Sequence, residues 1–270
     1  MKTSVNRWKW ISLAAVSAMI LLNILANIIP IGGKTTGEIS EIYPSPLTPA
    51  PITFTIWAVI YLLLPVLLLY MFIHKDGSAF SIDAGPLLLM TCLANMGWIL
   101  SWHFGAMTLA MIFMLLLLAG LVMLKNRMRD PDRHRYGRWY LLLPVGLYTG
   151  WITVAAVSNI SIWLMSLGFN GFGLPGQLLQ VIVLLIAGAI LTLGILADRD
   201  PYYGLAAIWG YAGILIRHLS ADLLNGMYPW TIGAAFLCEA AFTAATVLVV
   251  FRNSRLIPCL CSGKQNEYVR

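Results

Sequence analysis

Charged residues are scarce in this chain: Asp, Glu, Lys and Arg together make up 10% of its 270 positions, against 60% hydrophobic residues and a mean hydropathy of +0.82. A soluble domain carries about 25% charged residues, so a soluble enzyme is excluded and an integral membrane protein is indicated. Histidine and cysteine are sparse too, with four of each. His74, His103, His134 and His218 fall on different loops and span ends, so no pair has metal-ligand spacing on one helix face. No hydrolase constellation is present either, and no catalytic residue is assigned. Cys92 and Cys238 read as small packing residues inside apolar runs. The pair Cys259 and Cys261, in the C-terminal tail, leaves metal binding or lipid attachment open.

What is abundant is apolar sequence in runs of membrane-spanning length. A span needs about 20 residues, and eight such runs can be placed, at roughly 10–29, 52–73, 84–102, 105–124, 140–160, 177–197, 202–219 and 229–251. The expected fold is therefore an all-α polytopic membrane protein. The third and fourth spans are separated only by His103, Phe104 and Gly105. With the N-terminus inside, Lys2, Arg7, Lys9, Lys75, the cluster from Lys125 to Arg138, Arg199, Arg252, Arg255, Lys264 and Arg270 all fall inside, and only Lys34 and Arg217 fall outside. Lys and Arg are retained on the cytoplasmic side, so both termini are expected inside, in a bacterial cytoplasmic membrane. The net charge of +6 then needs no nucleic acid, because the basic loop 125–138 meets anionic headgroups. Trp8, Trp10, Trp139 and Trp230 lie near span ends and read as an interfacial belt.

The first span starts with charges, as a signal peptide does, but its apolar run is too long and lacks a small-x-small cleavage site, so it is expected to be retained. Asn23 and Asn27, four residues apart, face either a pocket or a neighbouring helix. The loop from Ile31 to Pro51 carries Lys34, Glu38 and Glu41. Its GGKTTG run has neither the spacing nor the preceding strand of a phosphate-binding loop. Pro44, Pro46, Pro49 and Pro51 then forbid a regular helix and predict a stiff extended segment, a rigid lid that feeds straight into a span bearing Trp57 and Tyr61 on one face.

Three stretches, in order, carry a resemblance. Pro44-Ser45, Thr48-Pro49-Ala50-Pro51 and Trp57-x-x-x-Tyr61 form the first; Asn95-Met96-Gly97-Trp98 is the second; Trp151 through Asn159 to Trp163 is the third. Together they resemble the TspO/MBR family of tryptophan-rich sensory proteins, which includes the mitochondrial translocator protein. The resemblance spans roughly residues 10–165 and implies a five-helix bundle, extended here by about three further spans, so that 1–165 and 166–270 read as module and extension. The basic and tyrosine residues of the family's proposed cholesterol motif do not follow Asn159, and sterol binding is not expected.

Asn95 and Trp98, Tyr148 and Trp151, and Asn159 and Trp163 each share a helix face. Indoles and amides on several spans suit an aromatic-lined pocket for a flat amphipathic ligand. The expected binding residues are Pro49, Phe54, Trp57, Tyr61, Asn95, Trp98, Tyr148, Trp151 and Asn159. Glu239, central in the last span among small residues, is expected at a packed interface, as a neutral hydrogen-bonded acid or as a proton or substrate site. Arg217 has Asp222 as its expected partner. The resemblance implies a receptor or sensor that binds a tetrapyrrole such as a porphyrin or haem-like ring, with no required cofactor. The alternatives are a proton-coupled transporter of a small hydrophobic molecule, and an enzyme that degrades porphyrin photo-oxidatively through Trp57 and Trp151. The expected partners are the lipid bilayer, that small ligand and, where the extension permits, a second copy of the chain.

Overall fold

A computed structural model describes residues 2–43, 45–74, 77–129 and 139–262, with backbone alone for 2–6, 172 and 254–262. Pro44, Lys75, His134, the arginines at 133, 135 and 138, and the side chains of Cys259 and Cys261 lie outside the described residues.

Every described element is helical. Eight long helices, α1 (Lys2–Ile28), α3 (Ile56–Ile73), α4 (Gly77–His103), α5 (Met107–Arg129), α6 (Trp139–Ser166), α7 (Gly176–Asp198), α8 (Pro201–Leu219) and α9 (Pro229–Ser262), are joined by short connections. A short α-helix, α2 (Thr36–Ile42), sits between α1 and α3. The eight expected spans correspond one to one with the long helices. Gly105, at φ +70°, turns the chain sharply between α4 and α5 and keeps those two helices separate. Pro65, Pro86 and Pro144 lie inside α3, α4 and α6, as helices in membranes tolerate.

Seven of these helices are long and apolar enough to cross a membrane; α8 is not among them. The reason is its position. α8 packs against α6, α7 and α9, and its buried face carries Tyr203, Tyr211, Arg217 and His218. A helix lined by protein has less need of an apolar surface than one lined by lipid.

Two hydrophobic cores result. One is built by α1 and α3–α6 around Met19, Ile60, Leu67, Met114 and Ile152, and the other by α7–α9 around Leu184, Leu191, Tyr211 and Phe242. They meet where α6 and α8 touch. A Cβ at Gly150 would lie 2.6 Å from the Tyr203 carbonyl, and one at Gly210 would lie 2.6 Å from Val154 Cγ1. Small residues let helix backbones approach where lipid offers no hydrophobic drive to bring them together.

Candidate functional site

The site grows from Trp57. Pro51–Thr55 forms a 3-10 turn that runs into α3 and delivers Trp57 onto its first turn. Four aromatic rings surround it. Tyr61 stacks at a centroid distance of 5.4 Å and Trp98 at 5.9 Å, while Tyr148 and Trp151 meet it edge-on at 5.7 and 6.2 Å. Phe54 packs edge-on to Trp151 at 5.9 Å, and Trp102 stacks on Trp98 at 5.8 Å. These separations lie in the favourable range for aromatic pairs.

A polar layer holds the rings. Asn23 on α1 donates to Asn95 Oδ1 at 2.7 Å, and Asn95 donates to Tyr148 Oη at 2.9 Å, which ties α1, α4 and α6 together. Trp98 Nε1 donates to Asn159 Oδ1 at 3.0 Å, and Asn159 Nδ2 donates in turn to the Ala155 carbonyl at 2.9 Å. Asn23 therefore serves helix packing and the pocket at once. Trp163 turns away and donates to Thr108.

Two spaces lie on either side of Trp57. On one side an open cleft of about 290 Å³ is lined by Asn23, Asn27, Thr36, Phe54, Trp57 and Tyr61. On the other, a small space of about 20 Å³ is bounded by Pro49, Trp98, Trp102, Trp151 and Asn159. That second volume holds about one water molecule. Two of the buried polar atoms among its lining residues, Trp151 Nε1 and Thr48 Oγ1, have no hydrogen-bond partner. All nine expected binding residues gather around these rings, but the cage they form is filled largely by its own side chains.

The roof was only partly foreseen. The loop expected over 31–51 contains α2 ahead of the proline segment, started by a capping box in which Thr35 and Glu38 bond each other's backbone N–H. The bond from Thr35's backbone N–H, and next the one from its hydroxyl, hold the Glu38 carboxyl below its ordinary value. The proline segment is no exposed lid, since Ser45 and Leu47–Ala50 are buried. On the α4 side, Trp102 Nε1 donates to the Thr36 carbonyl at 3.1 Å, and the Thr36 hydroxyl lies 3.2 Å from His103 Nε2. From α6, Ser158 donates to the Leu47 carbonyl at 3.0 Å. α8 supplies more: Trp209 Nε1 donates to the Thr53 carbonyl at 2.8 Å, His218 Nε2 lies 2.9 Å from the Pro46 carbonyl, and the Gly213 carbonyl accepts from Ala50 N–H at 2.9 Å. Arg217 grips Glu41 with both terminal nitrogens, Nη1 reaching Oε2 at 3.2 Å. Glu41, near the end of α2, therefore replaces the expected partner Asp222, because the fold brings its carboxylate within reach of Arg217 in the last turn of α8.

At the opposite end of the bundle, Lys125 bonds Asp198 at 2.5 Å and lies 4.3 Å over the Tyr203 ring, while Arg129 sits 3.7 Å from Asp200. Asp200 also caps α8, accepting from Tyr202 and Tyr203 N–H at 3.0 and 3.2 Å. Burial raises its carboxyl above the ordinary value, against the opposing pull of Lys125, the two N–H groups and Arg129.

Glu239 is not part of the aromatic site. It lies on α9, which packs on α7 and α8, at the edge of the buried face rather than within it, and its buried Oε2 has no partner. Trp10, Trp139 and Trp230 are exposed, which accords with the belt reading. Sequence reasoning missed Trp102, Thr48 and Ser158 in the cavity wall.

Fold and site together define a polytopic helical membrane protein with an aromatic cage roofed by a proline-rich segment. The chain belongs to the family of TSPO-like proteins, whose profile matches residues 9–251. The match runs across position 165, so α7, α8 and most of α9 fall inside it, although the sequence motifs alone carried the resemblance only over roughly 10–165. No curated protein and no solved structure shows significant similarity to the chain.

Proposed function

We propose that the protein is a membrane receptor or sensor for a flat, largely apolar ring system, with a tetrapyrrole as the leading class. The observation that carries this reading is the double role of Trp57, whose indole is at once a wall of the open cleft and the centre of the ring cage. A ring stacked in the cleft meets Trp57 and Tyr61 on one side, with Asn23 and Asn27 placed to orient a polar edge. At about 290 Å³ the cleft stands at the lower end of small-molecule pockets, about 300–1,000 Å³, so a tetrapyrrole occupies it partly and leaves one edge to the bilayer. The test is titration of the purified protein with protoporphyrin, followed by Soret absorbance and tryptophan quenching. Saturable binding with quenching supports the reading; unsaturated partitioning that matches empty micelles refutes it.

One observation favours a second reading, proton-coupled transport: the unpartnered Oε2 of Glu239. A carboxyl in a span costs about 2.5–3.5 kcal/mol on insertion scales, and a group retained at that cost without a partner suits proton exchange. Flux in proteoliposomes separates transporter from receptor.

A further inference from the structure

The cage as it stands cannot admit a ring. A cavity that binds benzene measures about 150 Å³, and this one holds about 20 Å³. Three of its sides are α3, α4 and α6, whose lining residues belong to the packed core. The remaining side is the roof, where Ser40, Thr48 and Pro49 line the cavity from α2 and the proline segment. The roof is α2 followed by irregular backbone, and α8 holds it from one side through Arg217, Trp209, His218 and the Gly213 carbonyl.

We infer that α8 is the clamp of this roof: the Arg217–Glu41 ion pair and the Trp209 bond to Thr53 hold α2 and the proline segment down, and their release opens the way from cleft to cage. The inference rests on the aromatic site being the binding site, and it assigns control of that site to a helix that contributes no ring to it. Two features mark the α8 side as the one that lets go. The α4 side is held by a pair of aromatic side chains, Trp102 and His103, both buried on a core helix and bonded to the residue that opens α2. The α8 side depends on an ion pair whose carboxylate partner is 38% exposed, so solvent and salt reach it. Close fit adds to the clamp, for a Cβ at Gly213 would lie 2.0 Å from Thr53 Oγ1. Arg217 and Trp209 are thus positioning residues that act through the roof.

The test reads the roof directly and needs no ligand. Thr48 is a roof residue on the cavity side, 1% exposed, and a Thr48→Cys substitution places a thiol there whose labelling by a small alkylating reagent is followed on its own peptide by mass spectrometry. Arg217→Gln in that background is expected to raise the labelling rate about tenfold, the factor for one lost charge-assisted bond. Trp209→Phe, which keeps a ring but removes the donor, is expected to raise it less. Exchanging the charges, with Glu41→Arg and Arg217→Glu together, restores a slow rate. A rate equal to the parent in both Arg217→Gln and Trp209→Phe overturns the clamp. If Arg217→Gln does not fold, Glu41→Gln carries the same comparison from the exposed side of the pair. Faster labelling without saturable protoporphyrin binding leaves the clamp standing and removes the binding reading; binding with unchanged labelling does the reverse.

Discussion

Replacing Trp57 by alanine removes four ring pairs, to Tyr61, Trp98, Tyr148 and Trp151. Each is worth about 0.5–1.5 kcal/mol beyond area burial, or about 2–6 kcal/mol for the four. Measured Trp-to-Ala costs in cores run about 3–5 kcal/mol. Trp57 is only partly buried, so a loss of about 3 kcal/mol in stability is expected, read as a fall in the thermal midpoint. Binding responds separately. A flat ring in the cleft loses its main stacking partner, and affinity falls at least tenfold, since about 1.4 kcal/mol corresponds to that factor. Trp57→Phe keeps a smaller ring and falls between parent and alanine. Trp230, 74% exposed at the start of α9, serves as the control, and Trp230→Ala leaves binding unchanged. The assay is Soret titration of variants matched for folding by circular dichroism. Parent-like affinity in Trp57→Ala, or an equal loss in Trp230→Ala, refutes the assignment. Trp151→Ala adds a further distinction: Trp151 lines the cavity but not the cleft, so a loss as large as that of Trp57→Ala means that the ligand enters the cage.

Three other outcomes are expected. Glu239→Gln keeps the shape of the side chain and removes its ionisation, so pH-dependent flux in proteoliposomes disappears if transport runs through this residue, and persists if the residue only packs. Lys34→Cys, exposed at the loop end, reacts with an impermeant thiol reagent in sealed cells whereas Arg127→Cys, exposed near the end of α5, is shielded; the opposite pattern inverts the orientation read from the basic residues. Asp200→Ala removes the cap of α8 at about 0.5–2 kcal/mol, while Asp200→Asn retains it. Because burial raises Asp200 above 3.8, the folded state holds a proton that the unfolded state has lost between that value and the raised one. Stability from this group therefore increases as pH falls through that window, and Asp200→Asn abolishes this part of the pH slope of the thermal midpoint.

Spacing along single helices carried much of the site. Asn95 with Trp98 and Tyr148 with Trp151 were legible because residues three apart share a face, and their convergence needed only that α3, α4 and α6 pack together. Other features are not local in sequence. Arg217 and Glu41 stand 176 positions apart, so the nearer acid, Asp222, was the natural partner on spacing alone. That α8 crosses the bundle as a protein-lined helix, with less apolar surface than its neighbours, follows from tertiary packing that no hydropathy window records. The filled state of the cage is likewise a matter of how rings interlock. α2 is the exception: Thr35 followed by Glu38 is a capping-box signal in the sequence, masked by the reading of 31–51 as a loop.

The polarity of α8 and the irregularity of the proline segment answer one physical requirement. Pro46, Pro49 and Pro51 have no backbone N–H to give, and a chain bent by them cannot turn its carbonyls into helical bonds. Buried backbone of this kind persists only where protein satisfies it. The Leu47 carbonyl finds Ser158, the Pro46 carbonyl lies against His218 Nε2, the Thr53 carbonyl finds Trp209, and the Ala50 N–H finds the Gly213 carbonyl. Three of these four partners sit on α8. An apolar helix in that position would leave the Thr53 carbonyl without its donor, at about 1–3 kcal/mol, and the Pro46 carbonyl without His218, and the segment would have no fixed course over Trp57. The last three helices of this chain are therefore joined to the aromatic site through backbone hydrogen bonding, although the site's rings all come from the first six.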